Sequence, residues 1–191
     1  MERLNGELTG GRVAILIRAL TSDDVFPIVA ASSDWTELSQ FGPPHWRPRS
    51  PAELRRKIEA TAGPQLSSEY NFVAQSPDGL LVAECSVHAI DWRNGVAQVG
   101  VCVWAPINRR KGYGRVAVNH LIDWAFGYLG LCRLEAWIVD GNEPSVGLFT
   151  SLGFTHEATL QGRYLHAGVR RSMHVMALTS PSECARPARA V

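Results

Sequence analysis

No run of about 18 apolar residues occurs in this chain, so no segment is suited to crossing a bilayer as a helix. An excess of either charge is missing too: 19 Lys and Arg against 18 Asp and Glu leave a formal net charge of +1. Neither nucleic acid nor a membrane is therefore expected as a partner. Cysteine is scarce, with four residues, Cys85, Cys102, Cys132 and Cys184, and no C-x-x-C pair among them. Three of the four lie in apolar, strand-like runs, which reads as reduced, buried thiols in a cytoplasmic protein. The six histidines show no ligand spacing with one another or with cysteine, so no metal is expected. Met1 to Gly11 carries Glu2 and Glu7 and lacks the apolar stretch of a signal peptide, which again points to the cytoplasm.

What is present is an ordinary globular composition, 46% hydrophobic and 19% charged over 191 residues, without an internal repeat. That length supports one domain with a real core. Val13 to Leu20 predicts a strand, and Thr21-Ser22-Asp23-Asp24 a capping-box start to a helix through about Ala31. From Ser32 to Arg49 the periodicity breaks down into a long loop bearing Trp35, Phe41, His45 and Trp46. Ser50-Pro51-Ala52-Glu53 then opens a second helix, to about Ala62. Tyr70 to Gln75 and Leu80 to Ile90 read as strands joined by the turn Ser76-Pro77-Asp78-Gly79, and Val96 to Trp104 as the next strand, an antiparallel meander by its short connections. Val118, Leu121, Ile122, Ala125, Phe126 and Leu129 form one face of a helix ending at Gly130. It crosses to Leu131–Val139, a strand expected to run parallel to its predecessor. Thr155 to Gln161 and Arg171 to Leu178 are the last strands, joined through Gly162 to Gly168, and the domain is expected to span residues 1–178, followed by a disordered tail at 179–191. The sum is a mixed α/β fold, a mostly antiparallel twisted sheet of about seven strands flanked by about four helices.

Between the fourth strand and its helix stands Arg109-Arg110-Lys111-Gly112-Tyr113-Gly114, followed by Arg115. A strand that opens through glycines into a helix leaves that helix's first N–H groups free for an anion, and the cations add to the helix dipole. Phosphate or pyrophosphate is the natural guest. A basic turn with no guest remains open, as does a dinucleotide fingerprint, since Gly112-Tyr113-Gly114-Arg115-Val116-Ala117 also fits G-x-G-x-x-G/A with Asp140 as ribose acid.

The pattern Arg109-x-x-Gly112-x-Gly114, with Pro106 six residues before the first glycine, resembles the phosphate-binding motif of the GNAT superfamily of N-acetyltransferases. Asn142, Ser145, Gly153, Phe154 and Glu157 match the family's Asn-x-x-Ser and Gly-Phe-x-x-Glu stretch. The opening Gly11-Arg12-Val13 … Ile17-Arg18-Ala19-Leu20 … Asp24 is similar to the ribosomal-protein-alanine (RimJ/RimL-type) branch. The resemblance implies acetyl-CoA as acyl donor, held by Arg109, Arg110, Lys111, Gly112, Tyr113, Gly114 and Arg115 at its pyrophosphate and by Asn142, Ser145 and Phe149 along its arm. It places an oxyanion donor around Cys102, Val103 and Trp104, a thiolate-protonating hydroxyl at Ser145, and the acceptor wall at Trp35, Phe41, His45 and Trp46. The family's usual base position on the fourth strand is here Gln98 or Val99, so the base falls to Glu84 or His88, with Glu135 and His166 as further candidates.

Implied partners are a small-molecule or peptide amine and, for the protein itself, a homodimer. The aromatic loop has two arginines, Arg47 and Arg49, at its end and only Asp34 and Glu37 as acids, which suits a flat or apolar acceptor, with or without a carboxylate, over a polyamine. A non-catalytic acyl-CoA sensor and a nicotinamide-dinucleotide enzyme remain as alternatives.

Overall fold

The computed structural model describes residues 14–43 and 45–180. The expectations for Met1 to Val13, Cys184 and the tail beyond residue 180 lie outside the described residues. Seven strands form one sheet: β1 (Leu16–Ala19), β2 (Tyr70–Gln75), β3 (Leu81–Asp91), β4 (Val96–Val103), β5 (Arg133–Val139), β6 (Thr155–His166) and β7 (Val169–Thr179), in the order β1-β2-β3-β4-β5-β7-β6. Five α-helices accompany them among the described residues: α1 (Val25–Ala31), the single turn α2 (Trp35–Leu38), α3 (Pro51–Glu59), α4 (Tyr113–Gly127) and α5 (Glu143–Ser151).

The capping signals act as their chemistry dictates. The Asp24 carboxylate accepts the Thr21 N–H at 2.8 Å and Ser50 Oγ accepts the Glu53 N–H at 3.2 Å, which starts α1 and α3 where the sequence predicts. Val118, Leu121 and Ala125 of α4 are fully buried against Cys85, Val87, Val99 and Leu134 of the sheet. A side chain such as Leu121, buried completely, contributes about 1.5–3 kcal/mol. The opposite face of the sheet is covered by α1–α3 through Val25, Ile28, Leu38 and Leu54, packed on Val73 and Trp104.

Several boundaries move. α4 stops at Gly127, short of Gly130, because Tyr128 and Leu129 both donate to the Trp124 carbonyl. α3 stops at Glu59. The loop after α1 contains α2, capped by the Asp34 carboxylate on the Glu37 N–H. β6 and β7 extend to a tight turn at Ala167-Gly168, both left-handed (φ 47° and 80°). Gly162, expected in their connection, instead lies within β6 where its register against β7 shifts, its φ of 59° accommodating the bulge. Thr179, expected to begin the tail, ends β7, and the Ser180 N–H donates to the Cys132 carbonyl at 2.9 Å.

The feature that positions a site lies between β4 and β5. They pair in parallel only at Val96–Arg133, Ala97–Leu134 and Gln98–Glu135, although the strands run on to Val103 and Val139. Beyond that third pair they diverge into a wedge that opens toward the start of α4.

Candidate active site

At the mouth of the wedge, Arg110 (φ 60°) and Gly112 (φ 85°) both take the left-handed conformation and turn the chain sharply into α4. The N–H groups of residues 110–115 find no acceptor among the described residues, so a row of donors faces outward at a helix N-terminus. Arg110 and Lys111 stand exposed beside it, without a partner among the described residues. A Cβ at Gly114 would meet Leu148 (3.4 Å) and Val103 (3.9 Å) in ordinary contact, so the protein's own packing has room for an alanine there but not for a much larger side chain.

Arg109 corrects the expectation of an anion-facing guanidinium. Its Nε and Nη2 donate to the Val103 and Trp104 carbonyls (3.2 and 2.9 Å), its Nη1 and Nη2 fork onto Glu37 (2.7 and 2.9 Å), and its plane stacks 4.8 Å from the Phe41 ring. A guanidinium so committed fastens α2 to the end of β4. Arg115 likewise turns to Ser151 Oγ on α5, at 2.8 Å. Tyr113 contributes its backbone to the cradle while its ring packs on Ala74, Val82 and Ala83. Phe149, expected on the cofactor arm, is instead a core residue, 4% exposed and edge-on to Phe154.

Strand parity decides which amides face the wedge. Trp104 N–H donates to the Val82 carbonyl at 3.2 Å, and amides alternate sides along a strand. Cys102 and Trp104 therefore spend their N–H groups on β3, which removes two of the three expected oxyanion donors. Val103 and, two residues earlier, Val101 point theirs toward the gap. The Val101 amide was missed by the sequence reading, although alternation along a known strand end is the signal that finds it. The Cys102 thiol, like that of Cys85, is pushed well above the usual thiol range by burial, so neither is a nucleophile.

The loop 32–49 roofs the far side of the wedge. Ser39 accepts the buried Tyr164 hydroxyl on its carbonyl (2.8 Å), its own hydroxyl lies 3.1 Å from His166 Nε2, and Gly42 abuts Val139. Phe41 and Trp35 are half-buried in this roof. His45 is 4% exposed, its Nε2 3.7 Å from Glu84, and burial pushes its pKa down more than the neighbouring carboxylate raises it. Trp46 turns outward, 58% exposed under Arg47, and does not join the wall. His166, bonded to Ser39, is part of the roof's fastening.

The acetyltransferase (GNAT) domain family matches residues 14–155. The chain belongs to this family. Similar proteins include an uncharacterised N-acetyltransferase, p20, of Bacillus licheniformis, 31% identical over 50% of this chain and 52% of that protein. An α/β-tubulin N-acetyltransferase of Homo sapiens is 38% identical over 34% of this chain and 31% of that one. The chain thus spans about half or less of these two relatives. The crystal structure of spermidine N-acetyltransferase from Vibrio cholerae, in complex with CoA and spermine, superposes with a TM-score of 0.75 at 20% identity, covering 86% of this chain and 95% of that one. The matched family is broader than the ribosomal-protein-alanine branch the sequence resembles, and the named relatives are other N-acetyltransferases.

Against the GNAT frame, the acid and base candidates separate by position. Asn142 caps α5, its Oδ1 accepting the Ser145 N–H at 3.3 Å, while the Ser145 hydroxyl has no partner among the described residues. Glu84 is the cross-strand partner of Cys102, level with the outward amides. Its Oε1 accepts from Arg49 Nη1 at 2.6 Å, and Oε2 has no partner among the described residues. His88 pairs with Gln98, where β4 and β5 are still bonded, behind the closed end of the wedge. Burial, with Lys57 nearby, lowers its pKa, and its Nδ1 lies 3.0 Å from Ser86 Oγ. Glu135 is held by Arg133 (3.0 Å) and by the Trp137 indole N–H (3.0 Å), so it is a structural carboxylate. Among the described residues no group of three His, Cys, Asp or Glu is arranged to hold a metal, and no helix is long and apolar enough to cross a membrane. A surface concavity of about 440 Å³ bounded by Arg18, Asp24 and Leu80 holds none of these residues.

Proposed function

We propose that this GNAT-family chain transfers the acetyl group of acetyl-CoA to a primary amine by direct attack on the thioester. The observation that carries the reading is the continuity of two features: a cradle of amides at residues 110–115, without acceptors among the described residues, opens onto a wedge lined by the Val101 and Val103 amides. The cradle fits a pyrophosphate, and the wedge fits an extended, amide-bearing arm. A dinucleotide fingerprint fits less well, because it needs its first glycine at the strand end, whereas residues 104–111, with a 3-10 turn at Pro106–Asn108, intervene here.

In the reaction the amine nitrogen attacks the thioester carbonyl carbon, the C–S bond breaks, and the amine loses one proton as the thiolate gains one. A primary amine with a pKa near 10 is protonated at neutral pH and must first give up its proton. The Glu84 carboxylate, paired with Arg49 at 2.6 Å and level with the Val101 and Val103 amides, attracts the ammonium and receives the proton through water. The Val101 and Val103 N–H groups donate to the carbonyl oxygen as it takes on charge. The Ser145 hydroxyl, in the first turn of α5, protonates the leaving thiolate.

The Arg49–Glu84 contact also favours a second reading, an acyl-CoA sensor, since that carboxylate is already engaged by an arginine at 2.6 Å. Release of free thiol from acetyl-CoA with a panel of amines decides between them. Turnover that falls about 10²-fold in Glu84→Gln and in Ser145→Ala, with unchanged melting curves, supports the transferase. Cofactor binding without turnover for any amine supports the sensor.

The RimJ/RimL-type resemblance keeps a peptide N-terminus among the acceptors, beside small-molecule amines. The unbridged thiols of Cys85 and Cys102 support a cytoplasmic setting. The open edge of β6, 12 residues long, gives a homodimer a place to form, which sedimentation would detect.

A further inference from the structure

The acceptor's identity within this transferase reading depends on the charges that face the wedge on the side opposite α4. Three carboxylates there are already paired with arginines, Glu37 with Arg109, Glu84 with Arg49 and Glu135 with Arg133, while exposed Asp34 accepts only the Glu37 N–H that caps α2. The loop arginines are spent as well, Arg49 on Glu53 and Glu84, Arg47 on Glu53 at 3.2 Å. Arg163 on β6 is different. It is exposed, has no acceptor among the described residues, and its guanidinium carbon lies 5.9 Å from the Trp137 ring.

Trp137 stands at the right place for an acceptor. Carrying the register Gln98–Glu135 onward sets Trp137 across the wedge from Gly100, which offers no side chain to fill the space between them. The indole is fixed by its N–H to Glu135, and it lies on the face away from the phosphate cradle of α4. The result is a flat aromatic wall beside the wedge, with Arg163 above it and, of the carboxylates there, only Asp34 and Oε2 of Glu84 without a cation partner among the described residues.

We infer that Trp137 and Arg163 are specificity-determining residues that select an amine acceptor carrying a carboxylate close to its reactive amine. The indole receives the flat or apolar body, Arg163 pairs with the carboxylate, and the amine is left toward Glu84 and the wedge. A free amino acid or a short peptide ending in an acid has that chemistry. A polyamine, with a second cation where the carboxylate would sit, meets Arg163 as a like charge.

The test compares phenylalanine with phenethylamine, the same body with and without a carboxylate, and with spermidine, in wild type, Arg163→Ala and Arg163→Lys. The readouts are kcat/KM from thiol release and, independently of turnover, calorimetric binding to the CoA-loaded protein. Arg163→Ala is expected to lower the phenylalanine-to-phenethylamine preference about tenfold through KM, with Arg163→Lys restoring part of it. The amines' own basicities cancel when that preference is compared between variants. A preference unchanged by Arg163→Ala in both readouts, or spermidine as the best ligand, overturns the inference. Absence of turnover with every amine overturns the transferase reading instead, while the calorimetric preference still decides the role of Arg163.

Discussion

Removal of Arg49 should destabilise this protein strongly. Its side chain is 1% exposed and bridges Glu53, itself 5% exposed, at 2.9 Å and Glu84, 17% exposed, at 2.6 Å. Replacing it by methionine keeps the volume of the stem but strands two carboxylates in a poorly solvated place. Breaking a buried ion pair by removing one partner costs about 3–5 kcal/mol. Arg47 still reaches Glu53 at 3.2 Å, though it is 38% exposed, so the lower half of that range applies, about 3–4 kcal/mol. For a domain of this size each kcal/mol shifts Tm by roughly 2–4 °C, which gives a fall of roughly 6–16 °C. Thermal unfolding of Arg49→Met measures it. Adding Glu84→Gln removes one stranded charge and should recover about 1–2 kcal/mol, a coupling that a double-mutant cycle isolates. A fall of under about 2 °C, or no recovery in the double variant, would refute the account of these contacts as one buried network.

The remaining predictions concern the cradle and pH. Gly112→Ala forces a Cβ into a left-handed residue at a cost of about 1–2 kcal/mol, and should weaken acetyl-CoA binding in a folded protein, as read by calorimetry; unchanged affinity would remove the cradle. Gly114→Ala fits the space beside Leu148 and should leave both stability and affinity near wild type, whereas Gly114→Val crowds α5 and should lower Tm before it touches binding. His45, His88 and His120 all have pKa values pushed below the ordinary histidine range, chiefly by burial. Above pH of about 6.5 neither state holds the proton, so these groups are silent; below it the unfolded chain protonates first and stability falls until the native imidazoles follow. Denaturant midpoints between pH 7.5 and 5 should therefore decline, and His45→Gln, removing the most enclosed of the three, should flatten that decline. A midpoint constant over that range would show the three imidazoles to be free to charge in the fold.

Much of the fold was written locally. Asp24, Ser50 with Pro51, the Ser76–Gly79 turn and the apolar spacing of α4 act over a few residues, where backbone chemistry alone sets the outcome, and they stand where the sequence places them. The glycine-bearing turn into α4 was legible for the same reason, since glycines and cations beside a helix start need no distant partner to define them. Arg109 and Glu37, by contrast, lie 72 positions apart and Tyr164 and Ser39 lie 125 apart, so only folding showed that the motif's arginine holds the roof. Parity across β3 and β4 selected the amides of Val101 and Val103, a choice that depends on which neighbour takes the alternate hydrogen bonds. Charge in the acceptor cleft followed the same rule. The composition of the loop counted Arg47 and Arg49 as available, but electrostatics works through distance in space: both pair with nearby carboxylates, while Arg163, from a strand more than a hundred residues later, stands exposed beside the Trp137 ring.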